Sequence, residues 1–193
     1  MKKTAFLLTL FLSQFAMAQD STATVSPLSL KKNEIKLDVV ALITQTRFHV
    51  SYERFLKNDF SVGLSISLSA SSKRKDDFDN NFNRTISEYE VNPFMRYSLS
   101  KSQRSYYFVE AFGSINGGKY KEQQRITDGS SAYYAAVEDT YTDFALGAAI
   151  GYKLYLADKF GIEIFVGGAK NLLNTDVSPK YVPRVGANFG YRF

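Results

Sequence analysis

The residues in this chain whose types and spacing could carry out a reaction are His49, Ser51 and Glu53. A base, a hydroxyl and a carboxylate at alternate positions share one face of a strand, and together they are the groups used for acyl transfer. Such a constellation works through geometry, however, and three neighbours standing side by side on one strand do not by themselves define a triad. The chain has no second histidine and no cysteine, which removes imidazole pairs and thiolate metal centres. No metal, no cofactor and no catalytic residue is expected, and the chain reads as a non-enzyme.

The elements that would carry these groups are strands. The 193 residues are 45% hydrophobic with 24 basic and 19 acidic side chains, enough apolar matter for one folded domain and too little charge imbalance for a nucleic-acid partner. Residues 1–18 begin with Lys2 and Lys3, continue through an apolar run, and end Ala16-Met17-Ala18, the pattern of an export signal cleaved before Gln19. Residues 19–32, rich in Ser and Thr and containing Pro27, read as a flexible, exposed leader. The barrel domain is expected over 33–193.

Eight segments between Glu34 and Phe193 alternate apolar and polar residues at period 2. The clearest sets Phe60, Val62, Leu64, Ile66, Leu68 and Ala70 against Ser61, Gly63, Ser65, Ser67, Ser69 and Ser71. The first places Ile35, Leu37, Val39 and Ala41 on one face, with Lys36 and Asp38 on the other. The fifth is ambiguous, because Phe108 and Phe112 oppose Tyr107 and Val109, and its assignment rests on Glu110. Connections alternate too: short turns at 56–59, 99–104 and 157–159, long polar links at 72–84, 117–139 and 171–181, and a short first loop at 43–45. Both termini fall at the trim end, as an even strand number requires. Gln123, Gln124, Arg125 and the tyrosines Tyr133, Tyr134 and Tyr141 are expected in or beside a hairpin reaching beyond the other end.

Side-chain size decides which face is outside. Eight strands with about five apolar side chains each would overfill an eight-stranded interior, so the apolar face belongs outside against lipid. The opposite face, of Ser, Gly, Ala and sparse charges of both signs, suits a narrow interior. Tyr52, Tyr89, Tyr97, Tyr107, Tyr152 and Tyr191 supply an interfacial aromatic girdle. The expected fold is an all-β, eight-stranded antiparallel up-and-down transmembrane barrel.

With its signal sequence, its eight alternating strands and the ending Asn188-Phe189-Gly190-Tyr191-Arg192-Phe193, the chain resembles the small outer-membrane barrels of the OmpX and OmpA-transmembrane type. The resemblance implies residence in a Gram-negative outer membrane among lipids that include lipopolysaccharide. It implies insertion by the barrel assembly machinery, with Phe189, Tyr191 and Phe193 as the assembly signal. A monomer with a structural or surface-interaction role is expected. Lipid A deacylases are similar eight-stranded barrels with a Ser, a His and an acid, but their nucleophile meets lipid late in the chain, whereas His49, Ser51 and Glu53 share the inner face of the second strand.

The inward charges expected from the alternation are Arg47, His49, Glu53, Glu88, Glu90, Arg96, Glu110, Asp143, Lys153, Glu163, Arg184 and Arg192. Six acids, five permanent bases and one histidine nearly balance. Buried charge is costly unless paired, so cross-strand ion pairs filling the interior are expected. The alternatives are a small porin-like pore and, less favoured, a lipid A-modifying enzyme.

Overall fold

The computed structural model describes residues 27–56, 59–100, 102, 104–128 and 131–193. The export segment expected over 1–18, and 19–26 of the leader, lie outside them. Eight strands follow one another around the wall: β1 (Asn33–Asp38), β2 (Arg47–Phe55), β3 (Phe60–Ser69), β4 (Thr85–Ser98), β5 (Ser105–Asp128), β6 (Ser131–Leu156), β7 (Phe160–Asn171) and β8 (Tyr181–Arg192). Each pairs antiparallel with its neighbours in sequence, and β1 pairs with β8 to close the barrel. Asn33 and Phe193 exchange reciprocal backbone hydrogen bonds of 3.0 and 2.8 Å at the trim rim, which fixes the register of closure.

Because successive side chains in a strand point to opposite faces, the period-2 sequence sorts itself physically. Ile35, Leu64, Ile66, Met95, Ile150, Ile164 and Val185 are exposed on the outside, while Lys36, Glu53, Arg96, Glu110, Lys153 and Glu163 are buried within. The wall is the inverse of a water-soluble surface, where a continuous apolar band of this extent would aggregate. Near the trim end the outward aromatic rings form a belt: Phe60 with Tyr97 at 4.9 Å, Tyr107 with Tyr152 at 4.8 Å, and Phe160 with Tyr191 at 5.6 Å between centroids. Tyr89 stands apart from this belt, toward the other end, with its hydroxyl 2.8 Å from that of Thr142.

Three expectations need correction. First, β1 stops at Asp38, and Val39 and Ala41 belong to a helix, α2 (Val39–Gln45), whose last turn replaces the loop expected at 43–45. Continuing the strand would have pointed Val40 and Leu42 into a charged interior. Asp38 instead caps the helix by accepting the Ala41 N–H at 2.9 Å, and Thr46, at φ 48°, ends it by donating to the Ala41 carbonyl. Second, most of 117–139 is strand, because β5 and β6 remain paired as far as Asp128↔Ser131 and form a hairpin that outruns its neighbours. Third, the described part of the leader is packed. The short helix α1 (Pro27–Leu30) buries Leu28 among Tyr106, Phe108, Tyr155 and Phe165 at the trim mouth.

At the other end, the link after β3 carries helix α3 (Ser72–Asp79). Glycine has a steric purpose at 186, where a Cβ would collide with the Asp38 carboxylate and the Phe165 ring. At 168 a Cβ would meet only the Val182 carbonyl, at 3.5 Å. Gly186→Ala should therefore lower the unfolding free energy in detergent micelles by about 1–3 kcal/mol through overpacking and loss of the α2 cap. Gly168→Ala should leave the urea midpoint unchanged.

Candidate functional site

The interior of the barrel holds the concentrated chemistry. Toward the trim end, four carboxylates and four cations meet: Glu34, Glu53, Glu110 and Glu163 with Lys36, Arg96, Lys153 and Arg184. They come from every strand except β3, which contributes the hydroxyls of Ser61 to Glu53 and Ser65 to Arg184. Arg96 is the hub. It donates to Glu110 at 2.6 Å, to Glu53 at 3.2 Å, and through two guanidinium nitrogens to Glu163 at 2.6 and 3.0 Å. Lys153 reaches Glu34 at 2.8 Å and Glu53 at 2.9 Å, and Lys36 reaches Glu53 at 2.7 Å. Asn188 and Tyr155 complete the shell by donating to Glu163 at 2.9 Å and Glu34 at 2.6 Å.

The cluster is neutral as a unit, which is what burial demands of charged groups. Its cations also lie over aromatic faces. The Arg96 guanidinium sits 4.7 Å from the Phe94 ring and 4.3 Å from Phe108, and that of Arg184 sits 4.6 Å from Phe112. This explains the fifth segment, whose inward phenylalanines look misplaced in the sequence and serve as platforms for arginine. Above them Phe94, Phe112, Ala145, Ala149, Ala169 and Val182 form an apolar layer inside the barrel.

A second tier lies toward the elaborate end. Arg47 donates to Glu90 and to Ser67, both at 2.5 Å, and His49 Nδ1 stands 3.8 Å from Asp38 Oδ2. The carboxylate of Asp143 accepts the backbone N–H groups of Leu173 and Asn174 at 2.9 and 3.0 Å and the Ser178 hydroxyl, so that residues 172–180 are drawn over the mouth. Lys121 ties the hairpin to the α3 link by donating to the carbonyls of Phe78 and Asp79 and to Asn81.

Of the inward charges expected from sequence, Arg47, His49, Glu53, Glu90, Arg96, Glu110, Asp143, Lys153, Glu163, Arg184 and Arg192 face the interior. Glu88 does not. It is exposed at a break in the β4–β5 register between Ser87 and Tyr89, where the alternation slips by a residue. Arg192 faces inward with no acid partner among the described residues, stacking 3.6 Å from the centre of the Phe55 ring and donating to the Lys31 carbonyl at 2.8 Å. The sequence reading omitted Glu34, Lys36 and Asp38, although the alternation of the first segment had already set Lys36 and Asp38 opposite the apolar face.

His49, Ser51 and Glu53 share the inner face, but no hydrogen bond among the described residues joins them. Glu53 is held by Lys36, Lys153, Arg96 and Ser61, and the carboxylate nearest His49 is that of Asp38. Phe189, Tyr191 and Phe193 point outward at the trim rim, with the Tyr191 and Phe193 rings stacked at 6.2 Å.

A closed eight-stranded up-and-down barrel, apolar outside and ionised inside, is the architecture of the small outer-membrane barrels. No protein-family model and no curated protein sequence matches the chain. Among solved structures it is similar to the N-terminal β-barrel domain of OprF from Pseudomonas aeruginosa, at 14% identity and a TM-score of 0.53, covering 84% of this chain and 98% of that one. It is also similar to Neisserial surface protein A, at 10% identity and a TM-score of 0.50, covering 84% and 95%. At such identities the likeness establishes the fold.

Removing the hub leaves Glu163 and Glu110 buried with too few partners. Arg96→Ala should lower the unfolding free energy by about 3–5 kcal/mol, read as a shift in the urea midpoint in micelles. An unchanged midpoint would show that the cluster is not a paired unit.

Proposed function

We propose that this chain is an integral outer-membrane barrel whose filled, charge-paired interior makes it a non-conducting scaffold for the surface it displays. The observation that carries this reading is the neutral set of eight ionised groups joined across the barrel axis, beneath an apolar layer of side chains. Eight-stranded barrels have room for side chains and little else, and here the side chains bind one another from wall to wall. The apolar outer band, the trim-end aromatic belt and the export-like start support residence in the outer membrane, among lipids that include lipopolysaccharide. The outward Phe189, Tyr191 and Phe193 support delivery through the barrel assembly machinery.

The displayed surface is dominated by the β5–β6 hairpin. β4 accompanies β5 only as far as Thr85↔Tyr120, and β7 accompanies β6 only from Asn171↔Ala145. Beyond those rungs no strand flanks the hairpin, and Tyr133, Tyr134 and Ile126 are exposed. Exposed aromatics on a projecting two-stranded element are suited to contact with another macromolecule, so the role is structural and interactive, and the protein acts as a monomer without cofactor or catalysis.

Refolded protein in a planar bilayer should show no steady conductance above the lipid baseline, and a stable ohmic step would overturn the scaffold reading. Ser51→Ala should leave the acyl pattern of lipid A unchanged by mass spectrometry. A change in that pattern confined to this variant would indicate an enzyme.

A further inference from the structure

Among the described residues the wall is interrupted between β8 and β2. β1 pairs with β8 only from Glu34↔Arg192 to Asp38↔Asn188, and with β2 only as far as Leu37↔Val50. β8, however, extends to Tyr181 and β2 to Arg47, so no strand joins residues 181–187 to 47–49. The helix α2 packs against both β8 and β2 at this gap.

The sequence of β8 is matched to the interruption. Arg192 donates its backbone N–H to Lys159 on the β7 side and Phe193 donates to Asn33 on the β1 side. In an antiparallel ladder these directions alternate, so odd-numbered residues of β8 face the seam. Pro183, which has no N–H, occupies an odd position where a strand partner is missing, as proline in a sheet requires. Ala187, also odd, donates to Asp38 Oδ1 at 3.4 Å in place of a strand carbonyl.

Behind α2 lies a cavity of about 100 Å³ lined by residues of both faces of the wall. Pro183 and Val185 point outward, whereas Arg47, His49, Glu90 and Arg184 point inward. The cavity lies where β8 and β2 have no strand between them. Asp38 also lines it, is 1% exposed, and has one carboxylate oxygen, Oδ2, without a hydrogen-bond partner among the described residues. His49 Nδ1 stands 3.8 Å from that oxygen, too far to bond it.

We propose that this seam is a lipid-facing binding site for the hydroxyl head of a single-chain amphiphile. The hydroxyl donates to Asp38 Oδ2 and meets His49, while the chain lies along the exposed apolar side chains of α2, Val40, Leu42 and Ile43, and Val185. Size and charge select this class. The cavity holds a head of about three water volumes at ~30 Å³ each, too small for a sugar or a phosphodiester. Both cations are already engaged, Arg47 by Glu90 at 2.5 Å and Arg184 by Glu110 at 2.6 Å, so no free positive charge is offered to an anionic head. The unmet group is an acceptor, and a neutral hydroxyl supplies its donor.

The site rests on the reading of the outer wall as lipid-facing, and the test separates the two. Full-length protein refolded into phosphatidylcholine liposomes is first floated on a density gradient; failure to float overturns the lipid-facing reading itself. Floated protein is then irradiated with a long-chain primary alcohol carrying a diazirine, and adducts are mapped by peptide mass spectrometry. Adducts should concentrate on residues 39–45 and 181–187. The methyl ether of the same probe, which lacks the donor, should label them about tenfold less, the worth of one buried hydrogen bond. Ala41→Phe, which fills the cavity from α2, should abolish the preference while labelling of the β3 wall persists. Floated protein with adducts spread evenly around the wall, or an ether as effective as the alcohol on the native chain, would overturn the site.

Discussion

Ionised side chains removed from water must be neutralised by one another, and this barrel is arranged around that demand. Arg96 alone engages three carboxylates from β2, β5 and β7, and Lys153 and Lys36 extend the connection to β1 and β6. Glu53, Glu110 and Glu163 are each reached from more than one strand, so strands that are not neighbours in the wall are joined through its centre. The backbone ladder gives the wall its continuity, while the cluster fixes the inner spacing. The aromatic rings at Phe94, Phe108 and Phe112 fill the remaining volume and give the guanidinium faces apolar cover without an unmet hydrogen bond. The wall outside can then be largely apolar, because the charged groups of the strands are gathered inward.

The same demand explains why the first strand is short. The residues after Asp38 are apolar on both parities, and a strand through them would have set Val40 and Leu42 against Arg47, Glu90 and Arg184. A helix turns those side chains outward, and Asp38 serves it as cap. The cost is a stretch of sheet edge without a partner, moderated by Pro183, by the Asp38 carboxylate that accepts from Ala187, and by the body of the helix.

Much of this was legible in the sequence because strand alternation is a local property. The faces of β3, β6, β7 and β8, and of β4 from Tyr89 onward, follow from every second residue, as does the alternation of trim and elaborate ends. What was not legible depends on neighbours that sequence spacing does not specify. Val39 and Ala41 continue the alternation of Ile35 and Leu37, so the switch to helix was hidden behind a pattern that still fitted a strand. Asp38 before an apolar run is a helix-start signal, but it also read as one more inward polar residue. Glu88 was misplaced because a register break moves a side chain without changing its parity. Glu34 was missed because it precedes the first apolar residue of its strand. The pairing of Arg96 with Glu163, 67 residues away, depends on strand stagger and on two side chains meeting across the interior.

Five rungs join the first strand to the last and five join it to β2, against twenty-four between β5 and β6. A sheet rolled into a tube can be peeled open at one join, and the two joins that hold β1 have the fewest rungs. Tension applied at the two chain ends therefore acts on the weakest line of the cylinder, while the long hairpin on the far side stays zipped as a hinge. The molecule has in effect a built-in parting line, where it can be closed last during assembly and opened first under load.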